Sequence, residues 1–239
     1  MVFRIQKNIL LFTVSVLLAG LTEAHARDRI RIDLSGSVLS RFVWRGYRWR
    51  PVLPWDRVSS IVYEDGYLFT APDELNTHNP KLDEVEAELR AQINLALKRG
   101  IKIHYLDNHY GAVSSIPGGG ELLKRLGREY DVPVSGNNDE KYMSIHFTNI
   151  EKKLGHALEQ LENLEPVLNY WICHPGIDSP EQNVLMHTQP DHIFLNGGVG
   201  QHRAEITRVL TSIEERSMIK AKGITLTDYC DIKNELMNK

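Results

Sequence analysis

The clearest pattern along the chain is an apolar stripe at helical spacing between residues 82 and 97. The apolar side chains recur every three or four residues, at Leu82, Val85, Leu89, Ile93 and Leu97. This spacing places them on one face of an α-helix. Acidic residues cluster at the start of the segment, and Lys98-Arg99-Gly100 ends it. Negative charge at the start and positive charge at the end both interact favourably with the helix dipole, and glycine commonly ends a helix. The pattern therefore predicts one amphipathic helix here.

Helical and strand-like segments alternate along the rest of the chain. Further helical patterns occupy residues 118–130, 149–164 and 200–223. Short apolar segments typical of strands occupy residues 101–106, 167–173 and 224–229. Alternating helices and short strands are typical of a parallel α/β sheet or barrel. We therefore predict an α/β fold, with a single domain over residues 27–239.

The N-terminus has the layout of a secretory signal peptide. Arg4 and Lys7 precede an apolar run of 13 residues, and Ala24-His25-Ala26 follows as a small-x-small motif. This layout predicts a signal peptide over residues 1–26 and an exported protein, periplasmic or secreted. The alternative is an uncleaved membrane anchor, although 13 helical residues span only about 20 Å of a roughly 30 Å hydrocarbon core. We expect no membrane span after cleavage.

Composition and charge exclude several classes of function. The chain has 239 residues, of which 42% are hydrophobic and 25% charged, and its formal net charge is -3. Without a basic surplus, nucleic acid is not an expected partner. Two cysteines, Cys173 and Cys230, are too few for a disulfide scaffold and lack the spacing of a zinc motif.

The segment "GIKIHYLDNHYGA", residues 100–112, places an Asp and a His at the end of a predicted strand. Side chains alternate along a strand, so Asp107 and His109 are expected on one face at its carboxyl end. In parallel α/β folds this end carries the ligand site. The pair could bind a divalent metal, or the carboxylate could orient the imidazole. Alternatively, the two side chains hydrogen-bond each other at a polar loop edge.

A second strand-like segment ends in "CHPGID", residues 173–178. Pro175 lacks an N–H and disfavours helix at His174, so the strand should end there. An imidazole with an ordinary pKa near 6.5 suits proton transfer at neutral pH. His174 is thus a candidate general acid or base, and the alternative is a capped core histidine.

Taken together, these motifs resemble the YdjC-like carbohydrate deacetylases. Residues 84–112 are similar to the family segment that ends in a His-Leu-Asp-Ser-His signature, and residues 173–178 resemble its His-Pro-Gly loop. Residues 44–75 resemble the Tyr-Arg-Trp and Asp-Gly-Tyr-Phe region of the exported branch. The closing helix and strand also fit, so the resemblance covers roughly residues 43 to 231.

The resemblance implies an irregular (β/α) barrel and metal-dependent removal of acetyl groups from N-acetylated sugars or oligosaccharides. His109 would be a ligand of a divalent metal ion, Mg²⁺ or Zn²⁺, one per site, with Asp107 as its neighbour and a catalytic candidate. His174 would protonate the leaving amine. A metal-bound water would attack the acetamide carbonyl while a carboxylate takes its proton.

The chain departs from the family pattern before Trp44. The family has an Asp-Asp-x-Gly motif and a second histidine ligand, but no Asp-Asp pair occurs here and residues 27–43 contain no histidine. Asp33 could replace the missing carboxylate, or it is a loop or N-cap residue. We therefore expect a barrel incomplete at its N-terminal strands, whose open edge a homo-oligomer could cover.

Two alternatives to deacetylation follow from these departures. The chain could be a degenerate, catalytically impaired relative that binds glycans, or a metal-assisted hydrolase of another amide or ester. Clustered aromatic residues could stack on sugar rings, with Tyr47 and Trp49 as candidates, although core packing is expected for at least two of Trp44, Tyr47, Trp49 and Trp55. Surface, loop or capping positions are expected for five further histidines, namely His146, His156, His187, His192 and His202.

Overall fold

The computed structural model describes residues 9–14, 34–35, 42–44, 48–183, 185–187 and 198–237. The chain divides into two compact units. Of the described residues, unit 1 contains residues 9–14, 139–185 and 198–232, and unit 2 contains residues 34–138, 186–187 and 233–237. The single domain expected over residues 27–239 stays a prediction.

Short strands alternate with helices along the chain. The strands are β1 (Ile9–Val14), β2 (Leu34–Ser35), β3 (Phe42–Trp44), β4 (Leu106–Asp107), β5 (Lys141–Ser144), β6 (Leu168–Cys173), β7 (Leu185–His187) and β8 (Thr225–Thr227). The α-helices are α1 (Pro72–Thr77), α2 (Leu82–Lys98), α3 (Gly119–Glu129), α4 (Lys153–Glu162), α5 (Pro180–Asn183), α6 (Val199–Leu210), α7 (Ile213–Ala221) and α8 (Tyr229–Met237).

Unit 1 is built on a four-stranded parallel sheet with the order β5-β6-β1-β8. Strand β1 pairs with β6 from Ile9 opposite Leu168 to Val14 opposite Cys173. Its other edge pairs with β8. Five of the six residues of β1 are apolar, which suits an interior strand of a parallel sheet, whose two faces are both covered. Of the predicted signal peptide, only these six residues are described, and cleavage after Ala26 stays a prediction.

The core of unit 1 forms around β6, where five of six residues are buried. Trp171 and Cys173 pack in one cluster with Leu161 of α4 and with Ile206 and Val209 of α6. Helices therefore cover the strand that leads into the His-Pro-Gly segment. This packing fixes the direction in which the chain leaves the strand at residue 174.

The core of unit 2 lies between α2 and α3. The apolar stripe of α2 is buried at Leu89 and Ile93, which belong to one cluster with Leu122 and Leu126 of α3. Strands β2 and β4 pair in parallel, with Ser35 opposite Asp107, and β3 pairs with β7. Strand β4, which carries Asp107, therefore pairs with a strand from the N-terminal segment, where the Asp-Asp-x-Gly motif is missing.

A buried carboxylate fixes a loop within unit 2. Glu88 of α2 is 0% exposed, and its oxygens accept the backbone N–H groups of Val52 at 2.8 Å and Leu53 at 3.0 Å. The side-chain amide of Gln92 also donates to it. These bonds compensate for burying the carboxylate. They tie residues 52–53 to the middle of α2.

Most of the predicted elements are confirmed, and three differ. The helices expected at residues 82–98, 118–130 and 149–164 are α2, α3 and α4, and the strand expected at 167–173 is β6. The single helix predicted over 200–223 is wrong, because α6 ends at Leu210 and Ser212 caps a second helix, α7, by accepting the N–H of Glu215 at 3.2 Å. The strand predicted over 101–106 is largely wrong, because β4 includes only Leu106 of that range. The strand predicted over 224–229 is shortened to β8, since Tyr229 begins α8.

The described residues form a mixed α/β structure with parallel strands, as predicted. A closed barrel stays a prediction. Within the described residues, no helix is long and apolar enough to cross a membrane.

Candidate functional site

Strand β4 leads into a tight turn, residues 106–111, that we name the signature turn. The strand ends at Asp107, and His109 begins a 3-10 turn that ends at Gly111. Tyr110 and Gly111 have φ angles of +54° and +67°. Strand alternation does not reach His109, because the chain leaves the extended conformation after Asp107, and a shared face for the two side chains stays a prediction.

Asn108 holds the signature turn in place. Its side-chain oxygen accepts the backbone N–H of Val113 at 3.2 Å, and its amide donates to the hydroxyl of Ser114 at 2.6 Å. Its own carbonyl accepts the N–H of Gly111 at 2.8 Å. An asparagine side chain that bonds nearby backbone groups is a common way of stabilising a turn. The position of His109 is therefore determined locally.

The Asp107 carboxylate accepts a hydrogen bond from the hydroxyl of Ser135. Ser135 is buried, and its N–H donates to the carbonyl of Leu106 at 2.9 Å, next to the bridge between Leu106 and Val134. A cavity of about 20 Å³ lies on the inner side of Asp107, between α2 and α3. Asp107 is thus anchored at the edge of the unit 2 core.

His109 is half-buried and packs edge-on against the ring of Tyr110, with centroids 4.6 Å apart. One imidazole and one carboxylate are too few for a catalytic zinc site, which uses three protein ligands. The described residues contain no group of three His, Cys, Asp or Glu side chains that could hold a metal ion. Asp33 lies outside the described residues and immediately precedes β2, the partner of β4.

The His-Pro-Gly loop, residues 174–176, leaves β6 and is held against α6. The N–H of Gly176 donates to the hydroxyl of Thr207 at 2.9 Å, and that hydroxyl lies 2.7 Å from the Gly176 carbonyl. A Cβ atom at Gly176 would approach the Cβ of Arg203 to 2.9 Å. The close approach explains the glycine, and the strand end expected at His174 is confirmed.

A second histidine, His146, lies beside His174. The two rings have centroids 4.9 Å apart and meet edge to face at 61°. His146 is buried, so its expected surface position is wrong. Fully buried Lys153 donates to the carbonyls of Ile145 at 2.6 Å and His146 at 3.0 Å. Burial lowers the pKa of the Lys153 ammonium to about 8.

Comparison with known proteins shows the family to which this chain belongs. The model of the family described as YdjC-like protein matches residues 42–221. The chain belongs to the YdjC-like family. The matched range contains both the signature turn and the His-Pro-Gly loop. In this YdjC-like chain, Asp107 and His109 belong to unit 2 and His174 belongs to unit 1.

A solved structure shares the fold of this YdjC-like chain. It comes from Enterococcus faecalis and is provisionally described as a cellobiose-phosphate cleavage protein. The TM-score is 0.63 at 20% sequence identity, and the alignment covers 84% of this chain and 77% of the other. No curated protein matches the chain significantly.

The other sequence-predicted candidates occupy varied places in the YdjC-like chain. Trp49 and Trp55 are about half exposed, so neither is a core residue, whereas Tyr47 and Asp33 lie outside the described residues. His202 is buried in α6, so the loop predicted for it is wrong. The Nδ1 atom of His156 forms a hydrogen bond of 2.6 Å with the hydroxyl of Thr148. His192 lies outside the described residues, as does the side chain of His187.

The sequence analysis did not predict three residues that support the motifs. Ser135 bonds Asp107 from 28 residues away, and Thr207 bonds Gly176 from 31 residues away. His146 adjoins His174 across the unit 1 sheet. Serine and threonine carry no sequence signal for such long-range contacts. Only the pairing of strands and helices brings them to the motifs.

The hydroxyl of Thr207 offers a test of the His-Pro-Gly loop. Thr207→Val keeps the shape of the side chain but removes its hydrogen bonds to Gly176, and we expect a loss of about 1 to 2 kcal/mol in the free energy of unfolding. Turnover should also fall, because Gly176 is only two residues from His174 in the chain. Thr207→Ser keeps the hydroxyl and should restore both stability and turnover. Urea unfolding and acetate release measure the two effects.

Thr211→Val is the matched control, because Thr211 follows the last residue of α6 and its hydroxyl bonds only helix carbonyls. Equal activity in Thr207→Val and Thr207→Ser would contradict a role for the hydroxyl in positioning the loop.

Proposed function

We propose that this YdjC-like chain is a hydrolase that removes acetyl groups from N-acetylated carbohydrates. The observation that carries the proposal is the family match, which spans both candidate motifs. The organised signature turn and the anchored His-Pro-Gly loop support it. Both motifs place an imidazole at the carboxyl end of a parallel strand, where ligand sites form in α/β folds.

The reaction breaks the amide C–N bond and joins the oxygen of one water molecule to the acetyl carbon. The products are acetate and a sugar amine, and the departing nitrogen must gain a proton. We assign this proton transfer to His174, which a hydrogen-bonded loop holds at the end of β6. General acid catalysis of this kind contributes typically 10²- to 10⁴-fold.

We also propose that His109 is a ligand of one divalent metal ion, Mg²⁺ or Zn²⁺. The described donors, His109 and Asp107, do not complete a site for such an ion. We therefore assign the missing donor to Asp33, which precedes the strand that pairs with β4. Asp33→Asn should weaken metal binding if this assignment is right.

A glycan-binding relative without turnover is the second candidate. The incomplete donor set among the described residues favours it. The two candidates differ in acetate release, which only the hydrolase produces. A third outcome, hydrolysis of another amide or ester, would appear in a wider substrate screen.

The deciding experiment measures acetate release from N-acetylglucosamine oligomers, with added divalent metal and with chelator. The panel of substrates should include a phosphorylated N-acetylated disaccharide, because the description of the structural neighbour names a phosphorylated disaccharide, cellobiose phosphate. Release that chelator suppresses supports the hydrolase. Binding without release, by a folded sample, supports the second candidate.

We further infer an irregular barrel and export through residues 1–26. Cleavage after Ala26 would remove β1, which pairs with both β6 and β8. Residues 9–14 therefore cannot serve as a cleaved signal and as a strand in the same molecule. The intact mass of the exported protein distinguishes a chain that begins at residue 27 from one that retains β1.

A further inference from the structure

Unit 2 contains a polar and aromatic cavity that shares no lining residue with the signature turn. Its volume is about 750 Å³. The lining combines aromatic, charged and hydroxyl side chains, namely Arg48, Trp55, Ser59, Val62, Tyr63, Glu64, Asp65 and His78. A cavity of this size accepts a small saccharide.

Trp55 forms an aromatic surface in this cavity. Its indole rests against Gly66, where an added Cβ would lie 3.0 Å from the indole Cγ. Gly66 has a φ angle of +79°, so a side chain is excluded there both by the backbone and by the indole. Trp55 is nevertheless 48% exposed. The ring is therefore backed by the backbone and still offers surface to a ligand.

The cation in the lining is already neutralised. The Arg48 guanidinium pairs with the Asp65 carboxylate and lies over the rings of Tyr63 and Tyr67, at 5.1 and 4.8 Å from their centroids. Glu64 is exposed beside this pair and adds a second carboxylate to the lining. The charged lining residues thus carry one net negative charge, and the Arg50 guanidinium lies close by over the Tyr67 ring, so the carboxylate of Glu64 is the group that favours a cationic ligand.

His78 supplies a hydrogen-bond acceptor. Its Nδ1 lies 2.8 Å from the carbonyl oxygen of Glu74, which can only accept, so Nδ1 carries the proton. The ring is fixed by packing on Phe69, with centroids 4.3 Å apart. In the neutral imidazole the Nε2 atom is then an acceptor, and the described part of the chain donates no hydrogen bond to it.

We propose that this cavity binds a glucosamine-type amino sugar, with the pyranose ring on Trp55 and the ammonium group near Glu64. Aromatic rings pack well against the C–H face of a sugar, and the acceptors suit its hydroxyl and ammonium donors. The inference rests on the proposed function, because removal of an acetyl group from an N-acetylated sugar produces such an amine. The cavity thereby distinguishes a deacetylated unit from an acetylated one.

The test compares binding of the glucosamine trimer and the N-acetylglucosamine trimer to the full chain by calorimetry. We expect the glucosamine trimer to bind about tenfold more tightly. Trp55→Ala should weaken its binding about tenfold, whereas Trp55→Phe should retain most of the affinity. Glu64→Gln should remove the preference for the amine. Glu159→Gln, an exposed substitution on α4, should leave both affinities unchanged.

Equal affinity for both trimers, or no binding of the glucosamine trimer, would overturn the inference, as would full affinity in folded Trp55→Ala and Glu64→Gln variants. Melting temperatures identify variants that fold. Acetate release is measured on the same samples. Acetate release without binding of the glucosamine trimer rejects only the amino-sugar site. Binding that the variants weaken, without acetate release, rejects only the proposed deacetylase activity.

Discussion

His109→Ala is expected to abolish chelator-sensitive acetate release, and His174→Ala is expected to lower turnover about 10²-fold or more. The two losses should have different causes. His109 is proposed to bind the metal, so its loss removes the ion. His174 is proposed to deliver a proton, so its loss slows the reaction while the ion stays bound. Metal content after desalting and the turnover number at saturating substrate separate the two effects.

His156→Gln provides the matched control for these substitutions. His156 lies on α4, where its ring bonds Thr148, and it belongs to neither motif. We expect this variant to retain both metal and turnover. If His109→Ala and His174→Ala lose metal equally, the separate roles proposed for them are wrong.

Glu215→Gln is expected to stabilise the protein at pH 8 and to leave its stability nearly unchanged at pH 4. Glu215 is 2% exposed in the first turn of α7, and burial raises the pKa of its carboxyl to about 7 against the opposing charge of Arg216. The folded state therefore binds a proton that the unfolded state releases at lower pH. The stability this proton contributes is present below pH 4.5 and is lost as the pH rises through about 7.

The expected gain for Glu215→Gln at pH 8 is about 2 kcal/mol, since each pKa unit corresponds to about 1.4 kcal/mol and a glutamine amide also costs some energy to bury. Urea unfolding at both pH values measures it. Glu214→Gln is the matched control, because Glu214 occupies the preceding, exposed position in the same helical turn. A gain of equal size at both pH values, or an equal gain in the control, would contradict ionisation of Glu215 as the cause.

Local sequence signals predicted the secondary structure most reliably where they were strongest. The stripe from Leu82 to Leu97 became α2, and Pro175 marked the end of β6 correctly. The signals failed where the backbone changed conformation within a few residues. The turn after Asp107 has two residues with positive φ, and Ser212 separates two helices within one amphipathic pattern.

The N-terminal apolar run shows why pattern alone leaves the use of a segment open. The same residues suit the apolar region of a signal peptide and an interior strand. In the structure, residues 9–14 lie between β6 and β8. That pairing depends on partners more than 150 residues away, as between Ile9 and Leu168, and no local pattern contains it.

The sequence by itself determined the α/β class, the main helices, the family and the two motifs that carry His109 and His174. These features depend on periodicity, on proline and glycine, and on short runs of residues that are adjacent in the chain. Only the tertiary structure decided what surrounds the motifs: Ser135 on Asp107, Thr207 on the His-Pro-Gly loop, and His146 beside His174. Such contacts join distant segments, and they form because burying the two cores places particular strands and helices side by side.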